Sequence, residues 1–322
     1  MKNAVWLAPL VAAALAACSP QVRIDLLGED KLQEVVLLAG PSREKVLMID
    51  IDGTISSALE TGFLAREKSV VARVFERLER AAADPWVKAV ILRLDTPGGE
   101  VTASDIVYHE VLRFKERTGR PVIGLMMSVA ASGGYYIASA CDAIIAHPSS
   151  LTGSIGVISI FPSVEALMAK IGVKVDVIKS GPSKDSGSPF RDMTEEEKKI
   201  FQGIIDEYYE GFLAVVAKGR RGKVADADLR RIADGRIYTA PQALKLGLID
   251  ALGYFDDALA KARDMASLKS AKLVSYTYFP KTKSNIYAGR LGDLSPIDAK
   301  IVESMLGALK AGFYYLWLPR TP

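Results

Sequence analysis

Histidine and cysteine are scarce in this chain of 322 residues, which holds two of each: His109, His147, Cys18 and Cys141. Two cysteines make no disulfide framework. So little histidine narrows the choice of base for any hydrolytic centre, because most such centres lean on an imidazole. Charge of one sign is lacking as well. The 41 Lys and Arg residues against 38 Asp and Glu leave a net charge of +3. That is no basic footprint, and no nucleic-acid partner is implied. The N-terminal apolar run, residues 4–17, is too short to cross a bilayer as a mature helix. What is there is an ordinary globular balance, 49% hydrophobic and 25% charged, with ample material for a large core.

The chain opens on Met1 and Lys2, then the alanine-rich run, and reads as a secretory signal over residues 1–17. Its end, Leu15-Ala16-Ala17-Cys18, resembles the lipobox of bacterial lipoproteins. The resemblance implies cleavage before Cys18, a lipid on its thiol, and a membrane anchor without a spanning helix. Residues 18–44 read as a tether with a first strand near residues 34–38. Strands are expected at 46–51, 87–94, 122–127, 143–147, 156–160 and 173–178, with 46–51 and 122–127 buried. Helical spacing falls between them at 63–83, 100–117 and 164–171. Such alternation predicts α/β architecture, repeated strand–helix units with mainly parallel sheets and helical C-terminal elements. Thr194-Glu195-Glu196-Glu197 is a capping box opening a long helix. The catalytic domain is expected over 45–266, followed by an extension, 267–322. Within the extension, 272–278 alternates like an edge strand and 297–309 like a helix. The closing run Phe313-Tyr314-Tyr315-Leu316-Trp317-Leu318 suits either a membrane interface or packing on protein.

The stretch Val129-Ala130-Ala131-Ser132-Gly133-Gly134-Tyr135-Tyr136 is where chemistry is expected. It hands a strand over to a helix. A serine there projects beside the free N–H groups of the helix start, where negative charge is favoured. Gly133 and Gly134 let a substrate backbone come close. Nucleophile and oxyanion site need that geometry, though Ser132 as a plain N-cap has the same sequence signature. The base is a histidine, His109 or His147, or else a lysine. Lysine works as a base only when neutral, which requires a desolvated site. A rival motif, Ile49-Asp50-Ile51-Asp52-Gly53-Thr54, looks like the first motif of haloacid dehalogenase-type phosphatases, with Asp256-Asp257 as a distal acidic pair for Mg²⁺. Its bland reading is a strand ending in an Asp-Gly turn. Cys141 reads as a small buried residue.

Three stretches stand in order: Asp95-Thr96-Pro97-Gly98-Gly99-Glu100-Val101, then Ala130 to Ala138, then Leu151-Thr152-Gly153-Ser154-Ile155-Gly156-Val157. This ordered set resembles the bacterial signal peptide peptidase family, the SppA-type serine–lysine proteases of the ClpP/crotonase superfamily, over residues 46–262. The resemblance implies Ser132 as nucleophile, Lys184 as general base and Ser154 as the serine that orients it. It implies Gly99 and the N–H of Gly133 as the oxyanion site. Lys179 is the competing lysine and Ser128 the competing serine. No metal and no cofactor is implied. Substrates would be cleaved signal peptides and other unfolded, apolar segments, and the assembly a ring-shaped homo-oligomer on the periplasmic or extracytoplasmic side of a membrane. An acyl-CoA enzyme of crotonase type, or an inactive scaffold on the same fold, is the remaining alternative.

Overall fold

The computed structural model describes residues 32–58, 60–61, 66–278, 283, 285–287 and 312–318. The expected signal segment, Cys18 and the expected helix at 297–309 lie outside the described residues. In chain order the first elements are β1 (Gln33–Leu38), β2 (Lys45–Asp52), the short pair β3 (Glu60–Thr61) and β4 (Arg66–Glu67), and helix α1 (Val70–Ala83). Next come β5 (Val87–Thr96), β6 (Gly98–Glu100), α2 (Val101–Thr118), β7 (Val122–Ala131), α3 (Gly133–Ala138), β8 (Ala143–Ala146), β9 (Leu151–Gly153) and β10 (Ile158–Ile160). Helices α4 (Glu165–Lys170), α5 (Glu195–Gly219) and α6 (Asp226–Ile232) follow, then β11 (Ile237–Thr239), α7 (Ala240–Lys245), β12 (Ala251–Leu252) and α8 (Phe255–Met265). The last strands are β13 (Lys272–Thr277) and β14 (Gly312–Leu316).

The main sheet runs β1-β13-β2-β5-β7-β8-β12, with β9 on the far end of β7 and β11 on β9. From β13 to β12 every neighbouring pair in that row is parallel; β1 on β13 is antiparallel. This is the expected α/β class with a mainly parallel sheet. Strands β2, β5 and β7 are apolar almost throughout because both faces of the sheet are covered. The pleat sorts them by a period of two. Leu47, Ile49 and Ile51 go to one core with Val74 of α1 and Val107 and Phe114 of α2. Val46 and Met48 go to the other with Phe255 and Leu259 of α8.

Three sequence expectations change. Helix α1 begins at Val70, not near residue 63, because the Ser69 hydroxyl accepts the N–H of Ala72 and starts it there. No strand forms at 173–178: Val173, Val175 and Val177 alternate but have no strand partner among the described residues, and they stay 47%, 42% and 49% exposed. The stretch expected as an edge strand, 272–278, is β13, inside the sheet between β1 and β2. The edge belongs to β1. Residues read as a tether therefore give one strand of the sheet, and residues read as an extension give another. A second sheet runs β10-β14-β6.

Candidate active site

The main-chain path at the end of β7 sets the site. Ser132 has φ 53° and ψ −114°, a region that side-chain-bearing residues occupy only under constraint. The constraint is visible on both sides. Its N–H donates to the Gly153 carbonyl at 2.8 Å, and its carbonyl accepts the Tyr136 N–H at 2.8 Å. The hydroxyl does not cap α3. It is buried, the residue being 1% exposed, and Oγ has no hydrogen-bond partner among the described residues. An unpartnered buried hydroxyl costs on the order of 1–3 kcal/mol. A catalytic role is one reason a fold keeps such a group. The plain N-cap reading of Ser132 thus fails on its own terms.

Parallel pairing of β9 with the end of β7 sets Gly153 opposite Ala131. Ser154, the next residue, consequently lies beside Ser132. It too has positive φ, 48°, and is buried; its N–H donates to the Arg236 carbonyl at 2.8 Å. On the other flank, the Pro97-Gly98-Gly99 turn abuts the start of α3. A Cβ on Gly98 would stand 2.8 Å from the Gly133 nitrogen and would collide with the Tyr315 carbonyl. A Cβ on Gly134 would stand 2.7 Å from the Thr96 methyl. Both contacts demand glycine. Ile55 donates to the Gly98 carbonyl and accepts from the Glu100 N–H. By strand alternation the N–H of Gly99 faces the opposite edge, where Tyr315 of β14 is its register partner. Gly99 and Gly133, the expected oxyanion pair, therefore both lie against Tyr315. Gly98, which forces the two together, was legible only as part of its motif.

The expected base is elsewhere. Lys184 lies in a short 3-10 turn (Pro182–Asp185), exposed, and its side chain makes no hydrogen bond or ion pair among the described residues. It is not within hydrogen-bond reach of Ser132, whose Oγ has no partner. Lys179 is engaged, donating to the Pro182 carbonyl at 2.9 Å and to Asp185 at 2.6 Å. Asp185 turns away from Lys184. Arg191, then Lys179, hold its carboxyl well below the usual carboxylate range. Arg191 also grips Glu197, the capping-box residue of α5, so the turn is tied to the helix start.

The competing chemistries find no support in these contacts. His109 is exposed on α2, and His147 spends its ring on Ser149 and on the edge of Tyr254, so neither meets Ser132. Asp50 is bound by Arg93 at 2.6 Å and Lys283 at 2.6 Å, and Asp52 by Arg73 at 3.3 Å. Burial works against the charge on Asp50, but Arg93 and Lys283 outweigh it and hold the carboxyl below its ordinary value. Its oxygens already serve two cations. Asp257 caps α8 by accepting the Tyr254 N–H at 2.7 Å. Cys141 is buried as expected, its thiol pushed up to about 12 by desolvation.

The model of peptidase family S49 matches residues 115–269. The signal peptide peptidase SppA of Enterococcus faecium is 34% identical over 77% of this chain and 72% of its own. The chain belongs to peptidase family S49. A protease of Synechocystis sp. is 37% identical over 72% of this chain and 78% of its own. Protease 4 of Salmonella typhi is 33% identical over 80% of this chain, a match that spans 42% of that longer protein. This S49 member is a serine protease of the SppA and Protease 4 type.

Proposed function

We propose that this protease is a membrane-anchored endopeptidase that degrades cleaved signal peptides and other unfolded, apolar segments through an acyl-enzyme on Ser132. Lys184 is its general base, Ser154 orients that lysine, and Gly99 and Gly133 hold the oxyanion. A lipid on Cys18 keeps it at the extracytoplasmic face, where such peptides leave the bilayer. The observation that carries the reading is the buried, partnerless Ser132 hydroxyl on a strained turn beside two glycines. Nucleophiles need a base within reach, and among the described residues Ser132 Oγ has no hydrogen-bond partner. The reading therefore takes Lys184 from a second copy in a ring. In support, the stretch 165–190 that bears Lys184 exposes Leu167 at 60%, Ile171 at 66% and Phe190 at 44%, an apolar surface that another copy would cover.

Ser132→Ala tests the reading. It should abolish hydrolysis of a fluorogenic signal-peptide substrate and labelling by a fluorophosphonate, while circular dichroism stays that of the parent. Wild-type turnover in this variant would end the assignment.

A further inference from the structure

The turn that bears Lys184 is held by one arginine. Arg191 donates through Nε to Asp185 Oδ2 at 3.0 Å and through Nη2 to Asp185 Oδ1 at 2.8 Å, so the guanidinium covers both carboxylate oxygens. Its Nη1 donates to Glu197 Oε2 at 2.9 Å, and Nη2 also reaches Glu197 Oε1. The same guanidinium donates to the Asp192 carbonyl at 3.0 Å and to the Asp185 carbonyl at 3.3 Å. Two carboxylates and two main-chain oxygens thus converge on one planar fork, a pattern that an ammonium cannot reproduce.

Glu197 does more here than close its capping box. The box asks only that it accept the Thr194 N–H, which it does at 2.9 Å. Glu197 is buried and takes, besides Arg191, the Ser186 hydroxyl at 2.9 Å. Ser186 directly follows the turn. The start of α5 therefore anchors the chain around Asp185, the residue next to Lys184. The other cation on Asp185 is Lys179, at 2.6 Å. Asp192 and Glu196 line the same open cleft as Lys179, Arg191 and Glu197. Of the acidic groups beyond it, Glu165 of α4 accepts the Asp192 N–H at 2.7 Å and Glu195 pairs with Lys198 at 2.6 Å.

We propose that Arg191 is a positioning residue for the general base: it holds the Lys184 turn on α5 and keeps the Asp185 carboxylate off the lysine's amine. The inference rests on Lys184 being the base. Lysine takes a proton from the serine only when neutral, and a carboxylate within about 4–6 Å favours its charged form. Arg191 withdraws that neighbour by engaging both of its oxygens, and its own positive charge works in the same direction. Asp185 and Glu197 stay ionised wherever a lysine base titrates. Arg191 first, then Lys179 for Asp185 and the Thr194 N–H for Glu197, hold both carboxyls well below the usual carboxylate range. The clamp is therefore constant across the pH profile, and the acid limb of that profile reports the base.

The test uses the full chain and the pH dependence of kcat/KM on one quenched signal-peptide substrate. Lys184→Ala comes first: turnover retained there removes the base assignment and this inference with it. In Arg191→Ala the acid limb should move up by about one pH unit, a roughly tenfold loss of kcat/KM at a fixed pH on that limb. Arg191→Lys keeps a charge but not the fork, and its limb should fall between the two. Adding Asp185→Asn to Arg191→Ala removes the released carboxylate, so the limb should return to the wild-type position while kcat stays low, the turn being no longer held. The position of a limb does not depend on how much of a preparation is folded, and Arg191→Lys carries the test if the alanine variant fails to fold. A limb unmoved in both Arg191 variants, with Lys184→Ala inactive, overturns the inference and leaves Lys184 in its role. A shift that Asp185→Asn does not reverse overturns Asp185 as the group that Arg191 keeps away.

Discussion

The backbone N–H of Ser132 and the carbonyl of Gly153 meet at 2.8 Å, and this bond ties the proposed nucleophile to the turn that carries Ser154. It also helps hold Ser132 at φ 53°, which a side chain resists. Strain of this kind costs on the order of 1–3 kcal/mol. Glycine in that place escapes it and removes the unpartnered hydroxyl as well. Ser132→Gly should therefore raise stability by about 1 kcal/mol in urea unfolding while activity disappears. Ser132→Ala removes the hydroxyl and keeps the strain, so its gain should be smaller. A glycine variant less stable than the alanine one would show that the turn is not strained.

The Lys184 side chain is exposed and makes no hydrogen bond or ion pair among the described residues, so its loss should cost little stability but all turnover. Lys184→Arg should fail as Lys184→Ala does, because guanidinium stays protonated. Lys179→Ala should keep turnover, since that amine is spent on Asp185 and the Pro182 carbonyl. Mixing is the sharper measurement. When Ser132→Ala and Lys184→Ala chains are unfolded together and refolded at equal amounts, about a quarter of the sites pair an intact serine with a neighbour's intact lysine. Activity near that level supports a shared site. None at all, in rings shown to be mixed, would confine the lysine to its own chain.

Much of this was legible in the sequence, and the failures have physical causes. The apolar runs of β2, β5 and β7 and the glycine-bounded turn after Ala131 follow from local chemistry, so they were readable residue by residue. The stretch Val173-Lys174-Val175-Asp176-Val177 has a strand's alternation, yet nothing pairs with it; alternation records preference and not a partner. Lys272 to Thr277 looked like an edge because its neighbours, β1 and β2, come from residues more than two hundred positions earlier. The seat of Tyr315 was illegible for the same reason. Its contacts with Gly99, Tyr136 and Phe212 join three distant segments.

Gly98 offers a test of close approach. Its φ is +103°, and a Cβ there would strike the Tyr315 carbonyl and crowd the Gly133 nitrogen at 2.8 Å, all backbone that cannot swing aside. Gly119 also has positive φ, +66°, but open space around it. Gly119→Ala should cost about 1 kcal/mol, the conformational term alone. Gly98→Ala should cost at least about 2 kcal/mol and abolish turnover, since relief of the overlap must push β6 off α3. Equal costs by thermal unfolding would show that the turn has room to move.

Asp250 supports the helix bearing the serine from behind. Arg220, 1% exposed, donates to both its oxygens at 3.0 Å and to the Gly247 carbonyl at 2.8 Å. Asp250 also accepts the Ile144 N–H at 2.7 Å, while the buried Tyr135 hydroxyl of α3 donates to the neighbouring Leu248 carbonyl at 2.8 Å. Burial disfavours the charge on Asp250, but Arg220, Lys223 and that N–H prevail and lower its pKa. A carboxyl lowered in the folded state binds protons more readily when unfolded. Its contribution is thus complete above the unfolded value, about 3.9, and is lost as pH falls through the lower folded value. Asp250→Asn keeps an acceptor for Ile144 but leaves a buried guanidinium without its counter-charge, at a cost of about 3 kcal/mol at neutral pH. Urea unfolding of both forms should show that gap at pH 7 and a narrower one below about pH 4. A gap that stays constant down to pH 2 would mean that the charge on Asp250 is not what holds Arg220 in place.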